Sequence, residues 1–410
     1  MEKLQGIKPN IRFPEFTDNW EHKKLSDLLA EAKKRNEDLK YDKDEVLSVS
    51  GELGIVNQIE HLGRSYAGVS VHQYHVVEVG DIVYTKSPLK ANPYGIIKLN
   101  KHKAGIVSTL YAVYKVKEQN ACGEWIEYYF SLDANTNRYL RPLVKKGAKN
   151  DMKISNAYVL HDRIFVPKVA EQKRIASFFT VIDKKITQLK TKKQLLQQYK
   201  KGIMQQLFSQ TLRFKDENAK EFPKWEKKKL GEIGECFIGL TYSPNDVVES
   251  GGTLVLRSSN VQNATLAFYD NVYVKANISE KNFVKENDIL ICARNGSRNL
   301  IGKCALIKKE HENFAFGAFM SVYRSKFNPF IYHLFQTDLF YKQINEHLGA
   351  TINQVTTKSL NSFYFYFPCE IEQLKISTFL NGLDKKIEHT ESLIIKSEQY
   401  KKGLLQNMFI

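Results

Sequence analysis

Two segments of the sequence combine cationic side chains with small hydrogen-bonding ones, each directly after an apolar run. Thr85–Asn92 follows the run that ends at Tyr84, and Cys292–Asn299 follows the run that ends at Ile291. Arginine can hydrogen-bond guanine O6 and N7 together, asparagine can do the same to adenine N6 and N7, and lysine and serine suit phosphate oxygens. The candidate contacts are Lys86, Ser87, Lys90 and Asn92 in the first segment and Arg294, Asn295, Ser297 and Arg298 in the second.

A second pair of segments also occupies matching places in the chain. Lys145–Asp151 and Leu348–Gln354 both contain Gly-Ala, which favours a tight turn with polar side chains at its tip. The candidate contacts here are Lys145, Lys146, Lys149 and Asn150 in the first segment and Thr351, Asn353 and Gln354 in the second. The segments share position but not chemistry, as expected of two modules that read different sequences. An ordinary solvated turn is the alternative interpretation of each segment.

Signatures of catalysis are scarce in the sequence. It contains neither a G-x-x-x-x-G-K-[ST] loop for ATP nor a G-x-G-x-x-G turn for a dinucleotide. Asn92-Pro93-Tyr94 approaches the Asn-Pro-Pro-Tyr signature of amino-methyltransferases but lacks the second proline, and a turn explains Asn-Pro equally well. His72 and His75 lie in a strand-like region where they would not share a face. We therefore predict no catalytic residue, no metal site and no cofactor.

The charge balance points to a polyanionic partner. Lysine and arginine number 61 against 45 aspartate and glutamate residues, a net charge of +16. Such an excess favours nucleic acid, because neutralised phosphates drive sequence-independent affinity, although a basic protein without such a partner is the alternative. Five cysteines without C-x-x-C spacing, an N-terminus without an apolar core and no long apolar run predict a cytoplasmic protein.

The sequence contains an internal repeat that must position these segments. Gln198-Tyr199-Lys200-Lys201-Gly202 recurs as Gln399-Tyr400-Lys401-Lys402-Gly403, an offset of 201 residues (198 to 399). At the same offset, Asp183-Lys184-Lys185-Ile186 recurs as Asp384-Lys385-Lys386-Ile387, and Glu171-Gln172 recurs as Glu372-Gln373. A duplicated chain favours a pseudo-symmetric fold, which suits a target with two-fold character such as duplex DNA.

Each half of the chain begins with short apolar segments that predict strands. An entry motif, Trp20-Glu21-His22-Lys23-Lys24-Leu25, is matched by Trp225-Glu226-Lys227-Lys228-Lys229-Leu230. Further on, Gly80-Asp81 and Asn287-Asp288 each precede an apolar run rich in Val, Ile and Tyr. This pattern indicates a turn that leads into a strand, and we predict a mixed α/β globule in each half.

Each half then ends in a long amphipathic helix. Ile175, Ile182, Leu189, Leu196 and Ile203 are spaced seven residues apart, and no proline occurs between Val169 and Phe208. The second helix carries two such rows: Ile376, Leu383 and Leu404, and Leu380, Ile387, Ile394 and Met408. At 1.5 Å per residue each helix is on the order of 55 Å long, so the two seams are expected to pack against each other.

The predicted order is a globule at 1–168, a helix at 169–208, a linker at 209–221, a globule at 222–369 and a helix at 370–410. A linker of 13 residues reaches about 45 Å when extended, too short to span a parallel helix pair. We therefore expect an α/β (α+β) fold in which two mixed globules are separated by two long helices paired as an antiparallel coiled coil, with a pseudo-two-fold internal repeat.

The repeated layout resembles the specificity subunit of type I restriction-modification systems. The resemblance rests on the Trp-Glu-x-Lys-Lys-Leu box, the Gly-Asp-Ile type of turn, and a Pro-x-x-x-Glu-Gln-x-x-Ile entry to each long helix. In this chain the last motif begins at Pro167 in the first half and at Pro368 in the second.

That resemblance implies two target recognition domains, 1–168 and 222–369, each reading one half of a split site in double-stranded DNA. The subunit would not itself be catalytic. Its helices would bind two methyltransferase subunits, which use S-adenosylmethionine, and these would recruit two motor-nuclease subunits, which use ATP and magnesium. Two other interpretations stay open from the sequence: a self-sufficient DNA methyltransferase or nuclease with an unrecognised site, and a coiled-coil scaffold without nucleic acid.

Overall fold

The computed structural model describes residues 8–68, 70–88, 92–146, 152–349 and 353–409. The chain packs as two units, Met1–Lys190 with Ser392–Ile410 (unit 1) and Thr191–Glu391 (unit 2). Both units mix helices with short strands, which confirms the predicted mixed α/β class.

Unit 1 is organised around a four-stranded antiparallel sheet in the order β2-β9-β6-β7, accompanied by the two-stranded pairs β1–β12, β3–β4, β5–β8 and β10–β11. Its strands are β1 (Glu21–Lys24), β2 (Leu29–Glu31), β3 (Leu47–Ser50), β4 (Gly54–Asn57), β5 (His75–Val77), β6 (Ile82–Thr85), β7 (Ile96–Leu99), β8 (Gly105–Val107), β9 (Tyr111–Val116), β10 (Lys145–Lys146), β11 (Met152–Lys153) and β12 (Arg163–Val166). Its helices are α1 (Leu25–Leu28), α2 (Gln58–Leu62), α3 (Gly123–Ser131), α4 (Asp133–Leu140), α5 (Asn156–Val159) and the first part of α6 (Val169–Phe208).

Unit 2 has a corresponding antiparallel sheet in the order β14-β23-β20-β21, a mixed sheet in the order β15-β19-β16-β22, and the pairs β13–β24 and β17–β18. Its strands are β13 (Glu226–Lys229), β14 (Glu235–Ile238), β15 (Val247–Val248), β16 (Thr253–Leu256), β17 (Val261–Gln262), β18 (Thr265–Leu266), β19 (Tyr273–Val274), β20 (Ile289–Cys292), β21 (Cys304–Leu306), β22 (Ala315–Phe316), β23 (Met320–Arg324) and β24 (Tyr364–Phe367). Its helices are α7 (Leu230–Ile233), α8 (Asn328–Leu334), α9 (Asp338–His347), α10 (Thr357–Ser362) and the first part of α11 (Glu370–Met408).

The turn predicted before the central strand is present in both units. Gly80 has a φ of 92° and Asn287 a φ of 66°, the left-handed conformation that glycine and asparagine tolerate best. The aspartate that follows is buried in each case and accepts a backbone N–H at 2.7 Å, Asp81 from Glu78 and Asp288 from Lys285. The Gly-Asp and Asn-Asp pairs are therefore structural: they orient β6 and β20, from whose ends the candidate segments leave.

The two long helices lie where the apolar rows predict them, and they run antiparallel within each unit. In unit 1, Asp183 of α6 pairs with Lys401 of α11 at 2.5 Å, while Lys190 pairs with Glu398 at 2.7 Å. In unit 2, Lys200 of α6 pairs with Asp384 of α11 at 2.6 Å. The repeated words thus pair with each other, because the aspartate of each copy binds a lysine of the other copy.

The helix ends also belong to the cores of the units, beyond the helix-to-helix packing expected from the sequence. Ile175 and Phe179 of α6 and Met408 of α11 are at most 2% exposed in the core of unit 1. At the other ends of the two helices, Leu207 of α6 and Ile376 of α11 are at most 1% exposed in the core of unit 2. Each helix is therefore anchored by apolar burial at both of its ends.

A buried carboxylate fastens the entry motif of each unit to a long helix. Glu171, 1% exposed, accepts two hydrogen bonds of 2.7 Å from the Arg12 guanidinium and one of 3.3 Å from Trp20 Nε1. In unit 2, Glu372, 0% exposed, accepts from Arg213 at 3.1 and 2.7 Å and from Trp225 Nε1 at 3.1 Å. We call each arrangement the Arg-Glu-Trp lock.

A buried histidine makes unit 2 sensitive to acid. His333 of α8 is fully buried, its Nε2 lies 2.8 Å from Asn381 Oδ1, and its Nδ1 lies 3.9 Å from Asp384 Oδ2. Burial, with a smaller contribution from the Lys200 charge, lowers the pKa of His333 to about 3.

The acid sensitivity gives a first prediction. The unfolded chain binds a proton at His333 near pH 6.5, whereas the folded unit binds it only near pH 3. The contribution of His333 to the free energy of unfolding is therefore fully present above pH 6.5 and decreases as the pH falls towards 3. Because of His333, the free energy of unfolding should be about 2 kcal/mol lower at pH 5 than at pH 7. Urea denaturation of the wild type and of His333→Gln measures it, and equal pH slopes in the two proteins would contradict the prediction.

Candidate nucleic-acid interface

The two candidate segments of unit 2, which are remote in sequence, lie side by side. Arg294 and Gln354 are partners in an antiparallel β-bridge. On either side of this bridge, Val355 N donates to Ala293 O at 2.8 Å and Asn295 N donates to Asn353 O at 3.2 Å. The structure therefore assembles Arg294, Asn295, Asn353 and Gln354 into one surface, which we call the unit 2 site together with Ser297 and Arg298.

Asparagine side chains hold this site together. Asn295 Nδ2 donates to Ser258 Oγ at 3.0 Å, and its Oδ1 accepts the backbone N–H of Ser297 at 2.9 Å. Asn353 Nδ2 donates to Gly296 O at 3.0 Å. The amide of Asn295 therefore positions the loop, with one N–H and one oxygen lone pair used within the protein.

Two arginines provide the charge of the unit 2 site. Arg294 is exposed, and its guanidinium carbon lies 5.0 Å from the ring centroid of Phe319. Such an aromatic neighbour fixes the orientation of a guanidinium while leaving its N–H donors free for a ligand. Arg298 is also exposed, and its guanidinium has no hydrogen bond or ion pair within the part of the chain that the structure describes.

In unit 1, the candidate segment after β6 contacts α5 through Lys86. Lys86 Nζ donates to Asn156 Oδ1 at 2.7 Å, and Asn156 is the first residue of α5, three positions after β11 ends. Ser87 and Lys145 are exposed, and Asn92 Nδ2 donates to Asp133 Oδ1 at 2.8 Å. Lys86 thus contacts the first residue of α5, the helix that follows β11 in the chain.

Lys90, Lys149, Asn150 and Thr351 lie outside the described residues. Lys146 contributes its backbone to β10, where it is paired with Met152.

Burial keeps two titratable groups near these loops uncharged. Burial, with smaller contributions from Arg35 and Lys86, lowers the pKa of His75 to about 4. At the base of the unit 2 loop, burial raises the pKa of the Cys292 thiol to about 11. At neutral pH the charges near these two groups are therefore those of Arg35 and Lys86 in unit 1 and of Lys303 in unit 2.

Each unit also has a cavity beside the long helices. The cavity of unit 1, about 860 Å³, includes Asp183 and Lys401 in its lining, and that of unit 2, about 1030 Å³, includes Lys200 and Asp384. These charged residues pair the helices with one another. Across the described ranges, no group of three His, Cys, Asp or Glu side chains could hold a metal ion, and all five cysteines are free thiols.

Sequence reasoning missed the residues that support the loops. Ser258 holds Asn295, and Asn156 holds Lys86, yet neither belongs to a repeated word. A serine after β16 and an asparagine after β11 are ordinary turn residues in the sequence, so only the fold reveals their partners. None of the helices described has the length and apolarity needed to cross a membrane.

Comparison with known proteins confirms the resemblance drawn from the repeated layout. Residues 223–398 match the family of the type I restriction modification DNA specificity domain. The specificity subunit of the type I restriction enzyme EcoKI from Escherichia coli strain K12 is 29% identical over 178 residues, 41% of this chain and 38% of that protein. The StySPI specificity subunit from Salmonella potsdam is 25% identical over 190 residues, 44% of this chain and 41% of that protein. The matches therefore span about two fifths of each of these relatives.

A solved structure shares the fold along nearly the whole chain. The S subunit of a type I restriction-modification system from M. genitalium has a TM-score of 0.59 at 15% identity, covering 98% of this chain and 99% of that one. The duplicated arrangement of strands and long helices is thus an established fold.

Proposed function

We propose that this chain, whose residues 223–398 match the type I restriction modification DNA specificity domain, reads a two-part DNA sequence as a subunit of a type I restriction-modification complex. The observation that carries the proposal is that a polar loop leaves the corresponding central strand of each unit, β6 in unit 1 and β20 in unit 2, and that in unit 2 a second loop pairs with it at Arg294 and Gln354. β6 and β20 are each third in the order of their four-stranded sheets, and the loops that follow them differ in chemistry. Two modules of one architecture with unlike loops suit a bipartite, asymmetric target.

The net charge of +16 supports a duplex DNA partner, because cations on the loops and elsewhere can neutralise phosphates while a few side chains read base edges. We assign phosphate contacts to Lys86, Ser87, Lys145 and Ser297, and base contacts to Arg294, Arg298 and Gln354. Asn295 and Asn353 support the loops from within.

We further propose that the chain is a non-catalytic, cytoplasmic subunit without a cofactor of its own. Two methyltransferase subunits bind its helices, and two motor-nuclease subunits join through them. The repeat supports this stoichiometry, because the same repeated residues pair α6 with α11 in each unit. Asp183 pairs with Lys401 in unit 1, and Lys200 pairs with Asp384 in unit 2. A pseudo-symmetric subunit offers equivalent surfaces to two copies of one partner.

A self-sufficient methyltransferase or nuclease is the competing function. Incubation of the purified chain with duplex DNA, S-adenosylmethionine, ATP and magnesium separates the two. Our proposal expects neither methylation nor cleavage until the partner subunits are added, and turnover by the chain alone would overturn it.

A second prediction concerns the arginines of the unit 2 site. Arg294→Ala and Arg298→Ala should each weaken binding of the partner-bound chain to its specific duplex by about tenfold or more, since an arginine-guanine contact is worth roughly 1–3 kcal/mol. Fluorescence anisotropy over a salt series measures the affinity and its salt dependence. A loss confined to one base pair indicates base reading, and a uniform loss with a shallower salt slope indicates phosphate contact.

The matched control is Lys220→Ala, which removes an exposed cation outside both loops of unit 2. Its binding should stay close to that of the wild type. If all three variants bind alike, Arg294 and Arg298 do not belong to the interface.

A further inference from the structure

We propose that Leu110 in unit 1 and Phe319 in unit 2 are equivalent apolar reading residues, each of which contacts the C5 methyl group of a thymine in its own half-site. This inference rests on the proposed function, because it requires that the loops meet duplex DNA. Neither residue stands out in the sequence, where each directly precedes the apolar run of a strand.

The two residues occupy the same position in the same kind of turn. Tyr111 N donates to Ser108 O at 3.1 Å, and Met320 N donates to Gly317 O at 2.8 Å, so each is the third residue of a hydrogen-bonded β-turn. Tyr111 begins β9 and Met320 begins β23, which are the second strands of the two corresponding sheets. The equivalence is therefore one of fold, not of residue type.

Both side chains are held out towards solvent. Leu110 is 59% exposed and Phe319 is 56% exposed. In unit 2 the turn cannot move aside, because Gly317 N donates to Leu256 O at 2.9 Å and Ala318 N donates to Leu240 O at 2.8 Å. The turn packs so closely that a Cβ on Gly239 would lie 2.1 Å from Gly317 O.

Each apolar side chain lies beside the start of a candidate DNA-contacting loop. The carbonyl of Leu110 accepts the backbone N–H of Lys86 at 3.2 Å. The carbonyl of Phe319 accepts the N–H groups of Ala293 and Arg294 at 3.0 and 2.9 Å, and the Arg294 guanidinium lies over the Phe319 ring. In both units, an exposed apolar side chain therefore adjoins the start of a loop with a cation that suits DNA, Lys86 in unit 1 and Arg294 in unit 2.

This combination selects a ligand of defined chemistry. An exposed apolar group gains free energy only when a partner covers it, and the C5 methyl of thymine is the apolar group that the major groove presents. A leucine in one unit and a phenylalanine in the other agree with two half-sites of different sequence. Apolar wedges that unstack bases act from the minor groove, whereas the neighbouring Arg294 and Gln354 suit the major groove.

The test uses duplexes in which deoxyuridine replaces thymine at one position at a time, after the specific sequence has been selected from a randomised pool by the partner-bound chain. Deoxyuridine lacks only the methyl group. One substitution in the second half-site should weaken wild-type binding about fourfold, the value of one buried methyl-sized group, and should not weaken binding by Phe319→Ala. Leu110→Ala should show the same insensitivity at one position of the first half-site.

Controls keep the possible failures apart. Both variants should melt at the temperature of the wild type, since an exposed side chain is removed, and Phe319→Leu should retain part of the deoxyuridine effect. Normal sequence selection without any coupled position would overturn this inference alone. If Phe319→Ala binds every duplex more weakly by the same factor, Phe319 inserts between bases or makes a general contact, and the proposed contact to a thymine methyl is wrong. If no sequence is selected at all, the proposed function fails, and this inference with it.

Discussion

Glu372→Gln is expected to lower the free energy of unfolding of unit 2 by about 3 kcal/mol. The carboxylate of Glu372 is fully buried and holds the Arg213 guanidinium with two hydrogen bonds and Trp225 with a third. Glutamine keeps the side-chain volume but removes the negative charge and one acceptor, so the part-buried Arg213 guanidinium loses the buried charge that balances it. Losing one member of a buried pair is far more costly than losing an exposed pair.

The neighbouring glutamate supplies the control. Glu370 is two residues away on the same helix and pairs with Lys326 at 2.7 Å, but both side chains are 68% exposed. Glu370→Gln should therefore leave stability nearly unchanged. Amide hydrogen exchange, followed separately for peptides of each unit, measures the effect in unit 2. Equal exchange in the Glu370 and Glu372 variants would show that the lock contributes nothing.

The same measurement on the other copy tests the repeat. Glu171→Gln removes the equivalent carboxylate from Arg12 and Trp20, and it should raise exchange in unit 1 in the same way. The two variants thus form a reciprocal pair, each acting on its own lock.

Gly95→Ala is expected to destabilise unit 1 by about 3 kcal/mol or more. Gly95 has a φ of +91°, which costs an alanine roughly 1–2 kcal/mol, and an added Cβ would lie 2.0 Å from Thr85 O. That oxygen belongs to β6, whose register with β7 pairs Thr85 with Ile96, so it cannot retreat without breaking the sheet. Reading of the first half-site should fail as well, because Gly95 closes the turn that begins at Asn92.

Two other glycines calibrate this prediction. Gly302 has a φ of +84° but meets only side-chain atoms, from 3.2 Å outwards, so Gly302→Ala should cost unit 2 less. Gly202 lies inside α6 with nothing within 4 Å of an added Cβ, and Gly202→Ala should stabilise the chain by about 0.5–1 kcal/mol. Urea denaturation orders the three variants, and a Gly95 variant as stable as the wild type would contradict the account of this turn.

Sequence periodicity predicted the long helices and the strands before each loop. The spacing of buried apolar residues is set by the helix or strand that carries them, so it is visible in the sequence without knowledge of what they pack against. The same reasoning found Trp20 and Glu171 as repeated words but did not connect them, since their contact spans 151 residues. One signal was available: Arg12 and Arg213 are separated by 201 residues (213 minus 12), the offset of the repeat.

The candidate site was predictable in place more than in role. The loops after β6 and β20 followed from the repeat, and the convergence of Arg294 with Gln354 bears on that placement. The role of Asn295 could not be read from its type, because its partner Ser258 is 37 residues away. Leu110 and Phe319 were missed because an apolar residue in the sequence is assigned to a core by default, and only the fold shows that they are exposed.

The central claim is that two unlike reading modules in one chain select the DNA sequence that partner enzymes modify. Genome-wide mapping of methylated bases, in cells that express the methyltransferase subunit with and without this chain, tests it most directly. We predict an asymmetric motif in two parts that appears only when the chain is present. Replacement of Arg294 should reduce base preference in one of the two parts and leave the other part unchanged. Methylation that is independent of the chain, or a single uninterrupted motif, would contradict the account.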